Sequence, residues 1–254
     1  MIKEPVVKIS NLSIGYDQRT VLKELNFSVM EGEIFIIMGG SGCGKSSLLK
    51  NIIGLYKPFE GDILINGHSI TKAKLKEKKK LMRSFGVTYQ DGALFSTLSL
   101  GENILLLLDE YTTLSKNEKE EVVMEKLALV GLAEFSHYMP HEISGGMRKR
   151  AGLARAMALN PKLLFFDEPS AGLDPISSAE LDRLILNLGR HTNATIVIVT
   201  HELDSIFAIA DNLIVLNKEK KGIVASGKPY DLKKNCKNEW VKRFLDRDGL
   251  TRKI

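Results

Sequence analysis

The chain has 254 residues, 44% of them hydrophobic and 26% charged, which excludes wholesale disorder and allows one large α/β domain or two small ones. Its net charge of +5 permits contact with nucleic acid or an anionic membrane surface but demands neither, because nucleotide-phosphate sites also need cations. The 2 cysteines, Cys43 and Cys236, lie far apart and the opening MIKEPVVKIS has no apolar leader, so neither a disulfide framework nor a signal peptide is expected.

Taken in order, VVKISNLSIGY alternates apolar and polar residues before turn chemistry, as an antiparallel strand does. LKELNFSV alternates likewise up to Glu31-Gly32-Glu33, giving an N-terminal antiparallel β subdomain. IFIIM is short, wholly apolar and ends in glycines, which suits a buried parallel strand. KSSLLKNIIGLY carries apolar positions at helical spacing, and GDILING reads as strand and turn. Thr71 to Arg83 is predicted as a lysine-rich helix and Phe85 to Tyr89 as a strand. LLFFD is a second buried strand, ELDRLILNLGRH a helix and TIVIVT a third buried strand, while DNLIVLN and GIVASG finish as edge-like strands. This alternation implies an α/β chain with a parallel sheet and flanking helices, interrupted by a helical subdomain at about 91–159. One domain would then span 1–228, with a helical tail over 229–254. No apolar stretch, Ile104 to Leu108 included, approaches the roughly 18 residues of a membrane span, so membrane association would come through a partner.

After IFIIM comes Gly39-Gly40-Ser41-Gly42-Cys43-Gly44-Lys45-Ser46-Ser47, which fits G-x-x-x-x-G-K-[ST] between a predicted strand and a predicted helix. Glycines let backbone amides wrap phosphates, and the helix start adds its positive end. Lys45 would reach the β- and γ-phosphates of ATP, and the Ser46 hydroxyl would bind Mg²⁺. A thiol at Cys43, beside a helix start, is expected to be reactive. The plain alternative is a glycine-rich turn with a chance lysine, and the strand-to-helix setting argues against it. This motif alone leaves kinases, GTPases and ATPases open.

Two further segments narrow the class. Asp167-Glu168 ends LLFF, which places two carboxylates at the C-terminal edge of a sheet. Asp167 can hold Mg²⁺ through water and Glu168 can polarise an attacking water, whereas the plain alternative is two acids opening a helix. Ile143-Ser144-Gly145-Gly146-Met147 precedes RKRAGLARAMA, a helix start whose small residues leave room for a phosphate. Ser144, Gly145 and Gly146 match the signature motif of ABC ATPases, which the chain resembles; Ile143 and Met147 depart from its commonest Leu and Gln.

That resemblance, over residues 5–228, implies a P-loop NTPase core of the ABC type and further roles. Tyr16 resembles the aromatic that stacks on adenine, and Gln90 the glutamine that touches Mg²⁺ and water and opens a permease-facing loop. Ser170-Ala171-Gly172-Leu173-Asp174 resembles the D-loop, and His201 the switch histidine at the γ-phosphate. Taken singly, Tyr16 reads as a packing aromatic, His201 as a structural histidine and Gln90 as nothing in particular; the order of the set is what discriminates. With one phosphate loop and one signature, the resemblance implies a homodimer in which Ser144, Gly145, Gly146 and Asp174 serve the ATP of the other copy.

Gln90-Asp91-Gly92-Ala93-Leu94-Phe95, SGGMRKRAGLARA, GLDPISSAELDRLI and NEWVKRFLDR are similar to segments of Mla/Mce-type lipid-transport ATPases. This implies phospholipid transport, with a dimeric integral membrane permease, an MCE-type substrate-binding protein and a small accessory subunit as partners. The chain would be peripheral, on the cytoplasmic face of the inner membrane, without nucleic acid. The alternatives are an importer or exporter of another cargo, or a soluble ABC ATPase acting on ribosomes or DNA. The latter usually carry two ATPase domains or a coiled-coil insertion, and this sequence shows neither. Lys72, Lys74, Lys76, Lys78, Lys79 and Lys80 could touch anionic headgroups or form a solvated helix face. Trp240, Val241, Phe244 and Leu245 make one apolar stripe, for docking on its own domain or for dimerisation.

Overall fold

The computed structural model describes residues 4–246. Its first part runs β1 (Val7–Tyr16), β2 (Arg19–Val29), β3 (Ile34–Gly39), α1 (Lys45–Ile52), β4 (Glu60–Ile65), β5 (His68–Ser69) and α2 (Leu75–Met82). Next come β6 (Phe85–Thr88), α3 (Leu100–Tyr111), α4 (Lys116–Leu129), α5 (Gly145–Ala156), β7 (Leu163–Asp167) and α6 (Pro175–Thr192). The last part is β8 (Thr195–Thr200), α7 (Leu203–Ile209), β9 (Asn212–Asn217), β10 (Gly222–Gly227), α8 (Pro229–Asn235) and α9 (Glu239–Asp246). The chain forms two compact units, Met1–Met82 with Thr195–Ile254, and Arg83–Ala194. The first residues of the opening segment (1–3) and the end of the expected tail (247–254) lie outside the described residues.

The first unit holds two sheets. In the order β2-β1-β4-β5, all neighbours are antiparallel. Along β1 the buried apolar residues are Val7, Ile9, Leu12 and Ile14, so the period of two slips once. The slip falls where the pairing with β2 shifts register between Ile9 and Leu12, at Asn11 with φ 48°. In the second sheet β3 lies parallel to both β8 and β9, and β10 pairs antiparallel with β9. Every residue of β3 and β8 is buried, which is why both read as unbroken apolar runs. β9, expected at an edge, is internal, and its Leu213, Ile214, Val215 and Leu216 are buried.

Helix α2 starts at Leu75 and not at Thr71. Residues ahead of it are held by Asp62, whose carboxylate accepts from the Ser69 hydroxyl at 2.6 Å and from the Thr71 hydroxyl and pairs with Lys72 at 2.8 Å. No residue of α2 is buried, an exposure that suits a solvated face and a headgroup contact equally. At the other end of the chain, Val241 and Leu245 are buried where α9 packs on α8, and the Trp240 and Phe244 rings lie 5.3 Å apart. Val241 and Leu245 of the apolar stripe therefore dock within their own unit, while Trp240 stays exposed.

In the second unit β6 and β7 are a parallel pair, with Phe85 edge-on to Phe165 at 5.2 Å. Both α3 and α4 open with a capping box, Ser99 with Glu102 and Ser115 with Glu118, the S-x-x-E arrangement that satisfies free amides at a helix start. The segment after β6 is fastened to two helices. Asn103 of α3 is fully buried; its Oδ1 accepts from the Phe95 amide at 2.8 Å, and its Nδ2 donates to the carbonyls of Phe95, Leu98 and Ser99 at 3.1, 3.0 and 2.9 Å. On α5, Gly152 meets Gly92 backbone to backbone: a Cβ at Gly152 would collide with the Gly92 carbonyl oxygen. The Arg155 guanidinium lies 5.2 Å from the Phe95 ring centroid.

Two outcomes follow for stability. Asn103→Ala strips partners from a buried amide and from backbone carbonyls, so urea denaturation is expected to show a loss of about 1–3 kcal/mol. At Asp62, burial pushes the pKa up, but Lys72, Ser69, Thr71 and the Ile63 amide outweigh it and hold the group at about 2 against a usual 3.8. A depressed carboxyl pKa stabilises fully above its unfolded value and loses that contribution as pH falls through its folded value. The difference in Tm between the chain and Asp62→Asn is thus expected to be full at pH 5 and above and to shrink from about pH 4 to 2. Thermal melts across that range measure it.

Candidate functional site

In the first unit the polypeptide leaves β3 through the loop Gly39 to Gly44 and enters α1. Gly44 is the N-cap with φ 102° and offers no side-chain oxygen, and no acidic residue stands in the first turn. The leading amides of α1 therefore face outward with the helix dipole behind them, an arrangement suited to phosphate. Only glycine fits there, because a Cβ at Gly44 would come within 2.7 Å of Val21 Cγ1. Lys45 is buried, and its Nζ donates to the carbonyl oxygens of Gly39 at 2.9 Å and Gly40 at 3.4 Å, which holds the cation inside the loop. Ser46 and Ser47 are half-buried in the first turn, while Ser41 and Gly42 are exposed. Cys43 is buried beneath Gly39, so its thiol is a filler with little access for reagents, contrary to the reactive thiol expected.

Tyr16 stands over the same helix start. Its hydroxyl hydrogen bonds to Ser47 Oγ at 2.9 Å, its ring meets Tyr56 edge-on at 5.6 Å, and it remains 41% exposed. This leaves an aromatic face fixed beside the loop. His201 follows β8, and the β3–β8 register pairs Met38 with Thr200. The phosphate loop and His201 thus leave neighbouring strands at the same edge, roughly 5 Å apart.

In the second unit the β6–β7 register pairs Thr88 with Phe166. Gln90 and the Asp167-Glu168 pair consequently emerge at one strand edge. Asp167 is buried, Glu168 is half-buried, and Glu168 takes a left-handed φ of 49°. Ser144 is the N-cap of α5, its Oγ accepting from the Met147 amide at 3.2 Å while its own hydroxyl hydrogen remains a donor. Gly145 and Gly146 form the first turn, which contains no acid. Asp174 caps α6, accepting from the amides of Ile176 and Ser177 at 3.0 Å each and from the Ser177 hydroxyl at 2.6 Å. The Ser177 hydroxyl and these amides hold its carboxyl below the usual carboxylate range. A Cβ at Gly146 would stand 3.9 Å from Leu173 and Ser177, so the signature segment lies next to the D-loop. Asn103 went unnoticed in the sequence, and Lys149 counted only as one of the basic residues 148–150 of the signature segment. Asn103 had a signal: a lone polar residue in the apolar stripe Leu100, Ile104, Leu108.

Comparisons with known proteins identify the family. The family description "ABC transporter" matches residues 22–171. The probable ribonucleotide transport ATP-binding protein mkl of Mycobacterium tuberculosis is 39% identical over 240 residues, 94% of this chain and 66% of its own length. The chain thus spans a little under two thirds of that relative. The intermembrane phospholipid transport system ATP-binding protein MlaF of Escherichia coli is 36% identical over 241 residues, covering 95% of this chain and 88% of MlaF. GbuA of Listeria monocytogenes, named for glycine betaine/carnitine transport, is 35% identical, with 62% of its length covered. Among solved structures, a dimeric ATP-binding cassette bound to ADP and Pi superposes with a TM-score of 0.79 at 30% identity, over 87% of this chain and 98% of that one. The chain belongs to the ABC transporter family, among its ATP-hydrolysing cassettes.

Proposed function

We propose that this chain binds and hydrolyses ATP to drive an ABC transporter that moves phospholipid between the inner membrane and the cell envelope. The likeness to MlaF over 88% of that protein carries the reading. The segment Gln90 to Phe95 adds to it: it resembles the lipid-transport ATPases where the family faces its permease, and here it is clamped by Asn103 and Gly152.

In this reading Tyr16 stacks on adenine, the amides from Gly39 to Ser47 wrap the phosphates, and Lys45 exchanges the carbonyls of Gly39 and Gly40 for phosphate oxygens. The Ser46 hydroxyl, the Gln90 amide oxygen and the Asp167 carboxylate are hard oxygen donors of the kind Mg²⁺ accepts. Mg²⁺ supplies charge neutralisation at the β- and γ-phosphates. Glu168 takes a proton from water as the water oxygen attacks the γ-phosphorus; the bond to the bridging oxygen breaks, leaving ADP and phosphate. His201 and Gln90 orient the γ-phosphate and the water. Ser144, Gly145, Gly146 and Asp174 of a second copy complete the set, as in an ABC homodimer. A dimeric permease, an MCE-type substrate-binding protein and an accessory subunit are the partners, and the chain sits on the cytoplasmic face of the inner membrane. Among the described residues no helix is long and apolar enough to cross a membrane, and the spanning role is assigned to the permease.

Glu168→Gln keeps the shape and removes the base. Steady-state hydrolysis is expected to fall about 10²-fold or more with ATP affinity retained, and near-normal turnover would remove Glu168 from the role. For the cargo, the chain is purified with its permease, reconstituted in liposomes and assayed for hydrolysis and phospholipid transfer. Phospholipid is expected to co-purify in native mass spectrometry and to be transferred in an ATP-dependent way. Stimulation instead by glycine betaine with a soluble binding protein, and indifference to phospholipid, would overturn the lipid assignment and leave the cassette intact.

A further inference from the structure

We infer that Lys149 is a positioning residue that carries the state of the signature segment to Glu168 of the same chain and so couples the two ATP sites of a dimer. The inference rests on the reading of Glu168 as the base and of Ser144 as a contact to the other copy's nucleotide.

Three consecutive cations leave α5 in different directions. Arg148 Nη1 donates to the carbonyls of Ile143 at 2.9 Å and Pro140 at 3.4 Å. Arg150 Nη1 donates to the Val130 carbonyl at 3.1 Å. These two brace the helix against the chain that precedes it. Lys149, between them, reaches to the end of β7, where its Nζ donates to the backbone carbonyl of Glu168 at 3.3 Å. The Ala171 amide donates to that same oxygen at 3.2 Å.

The anchored carbonyl belongs to a residue in an uncommon conformation. Glu168 has φ 49°, a left-handed value that a side chain bearing a Cβ adopts at a cost, and such strain persists where surrounding bonds impose it. A hydrogen bond from an ammonium is of the same order as that cost. Whether Lys149 is in reach therefore bears directly on where the Glu168 carboxylate points.

Lys149 is also five residues from Ser144, the N-cap of α5. Over so short a stretch the helix behaves as a rigid rod, so a phosphate that seats against Ser144 fixes the position of Lys149 as well. Ser144 answers to the nucleotide of one site while Glu168 acts at the other. One ammonium thus links the filling of the first to the geometry of the second. Gly146, next to Leu173 and Ser177, ties the same helix turn to the D-loop and gives the movement a second point of contact.

The test compares the full chain with Lys149→Met and Lys149→Arg, measuring kcat, the Hill coefficient for ATP, and equilibrium binding of a fluorescent ATP analogue. Lys149→Met is expected to lower kcat ~10-fold and to bring the Hill coefficient from near ~2 towards ~1, with affinity and melting temperature unchanged. Lys149→Arg, which keeps the cation, is expected to restore both. Wild-type kcat and cooperativity in Lys149→Met would overturn the inference, as would equal damage in Lys149→Arg or a wild-type Hill coefficient of one. If Lys149→Met fails to fold, Lys149→Gln is read against Lys149→Arg by the same criteria. Glu168→Gln runs alongside: turnover surviving there removes the underlying reading, whereas loss of turnover there beside an unaffected Lys149→Met removes the coupling alone.

Discussion

Hydrogen-bonded register between parallel strands decides where the residues proposed to handle phosphate stand in this chain. With Met38 opposite Thr200, the loop after β3 and His201 after β8 begin side by side. With Thr88 opposite Phe166, Gln90 and Asp167-Glu168 leave their strands together. A slip of one residue in either pair would turn every side chain of the strand to its other face. Because β3, β7 and β8 are buried along their whole length, both faces are packed and the register has no slack. The chemistry at the strand ends inherits that precision.

Three helix starts then treat anions differently. At α1 the cap is Gly44, which contributes no side-chain oxygen, so the positive end of the helix is the feature that faces a ligand. At α5 Ser144 caps with its lone pair and keeps a proton to give. At α6 Asp174 spends its carboxylate on Ile176 and Ser177, so this helix carries its own anion. The position proposed to serve a second copy's nucleotide thus also caps α6, and those bonds fix where its carboxylate stands.

Much of this was readable in the residues. The apolar runs IFIIM, LLFFD and TIVIVT named the buried strands, and the phosphate loop and signature named the family. What escaped detection depended on distant partners or on very short pieces. The short strand β5 and the seven-residue α7 carry no period long enough to see. β9 looked like an edge because its neighbour β10 follows it closely, yet β3 covers its other side. The delayed start of α2 comes from Asp62, which captures Ser69, Thr71 and Lys72 from across the β4–β5 turn. Lys149 resembled any helical lysine until the bend at Glu168 brought a carbonyl to it.

The meeting of Gly92 with Gly152 has a consequence for how such a sequence can change over time. Gly92 has φ 80°, and a Cβ there would stand 2.8 Å from the Arg148 carbonyl, while one at Gly152 would strike Gly92 itself. Neither position can accept a methyl group unless the segment after Gln90 retreats from α5. A lineage that alters one glycine must therefore alter the path of the whole segment after Gln90.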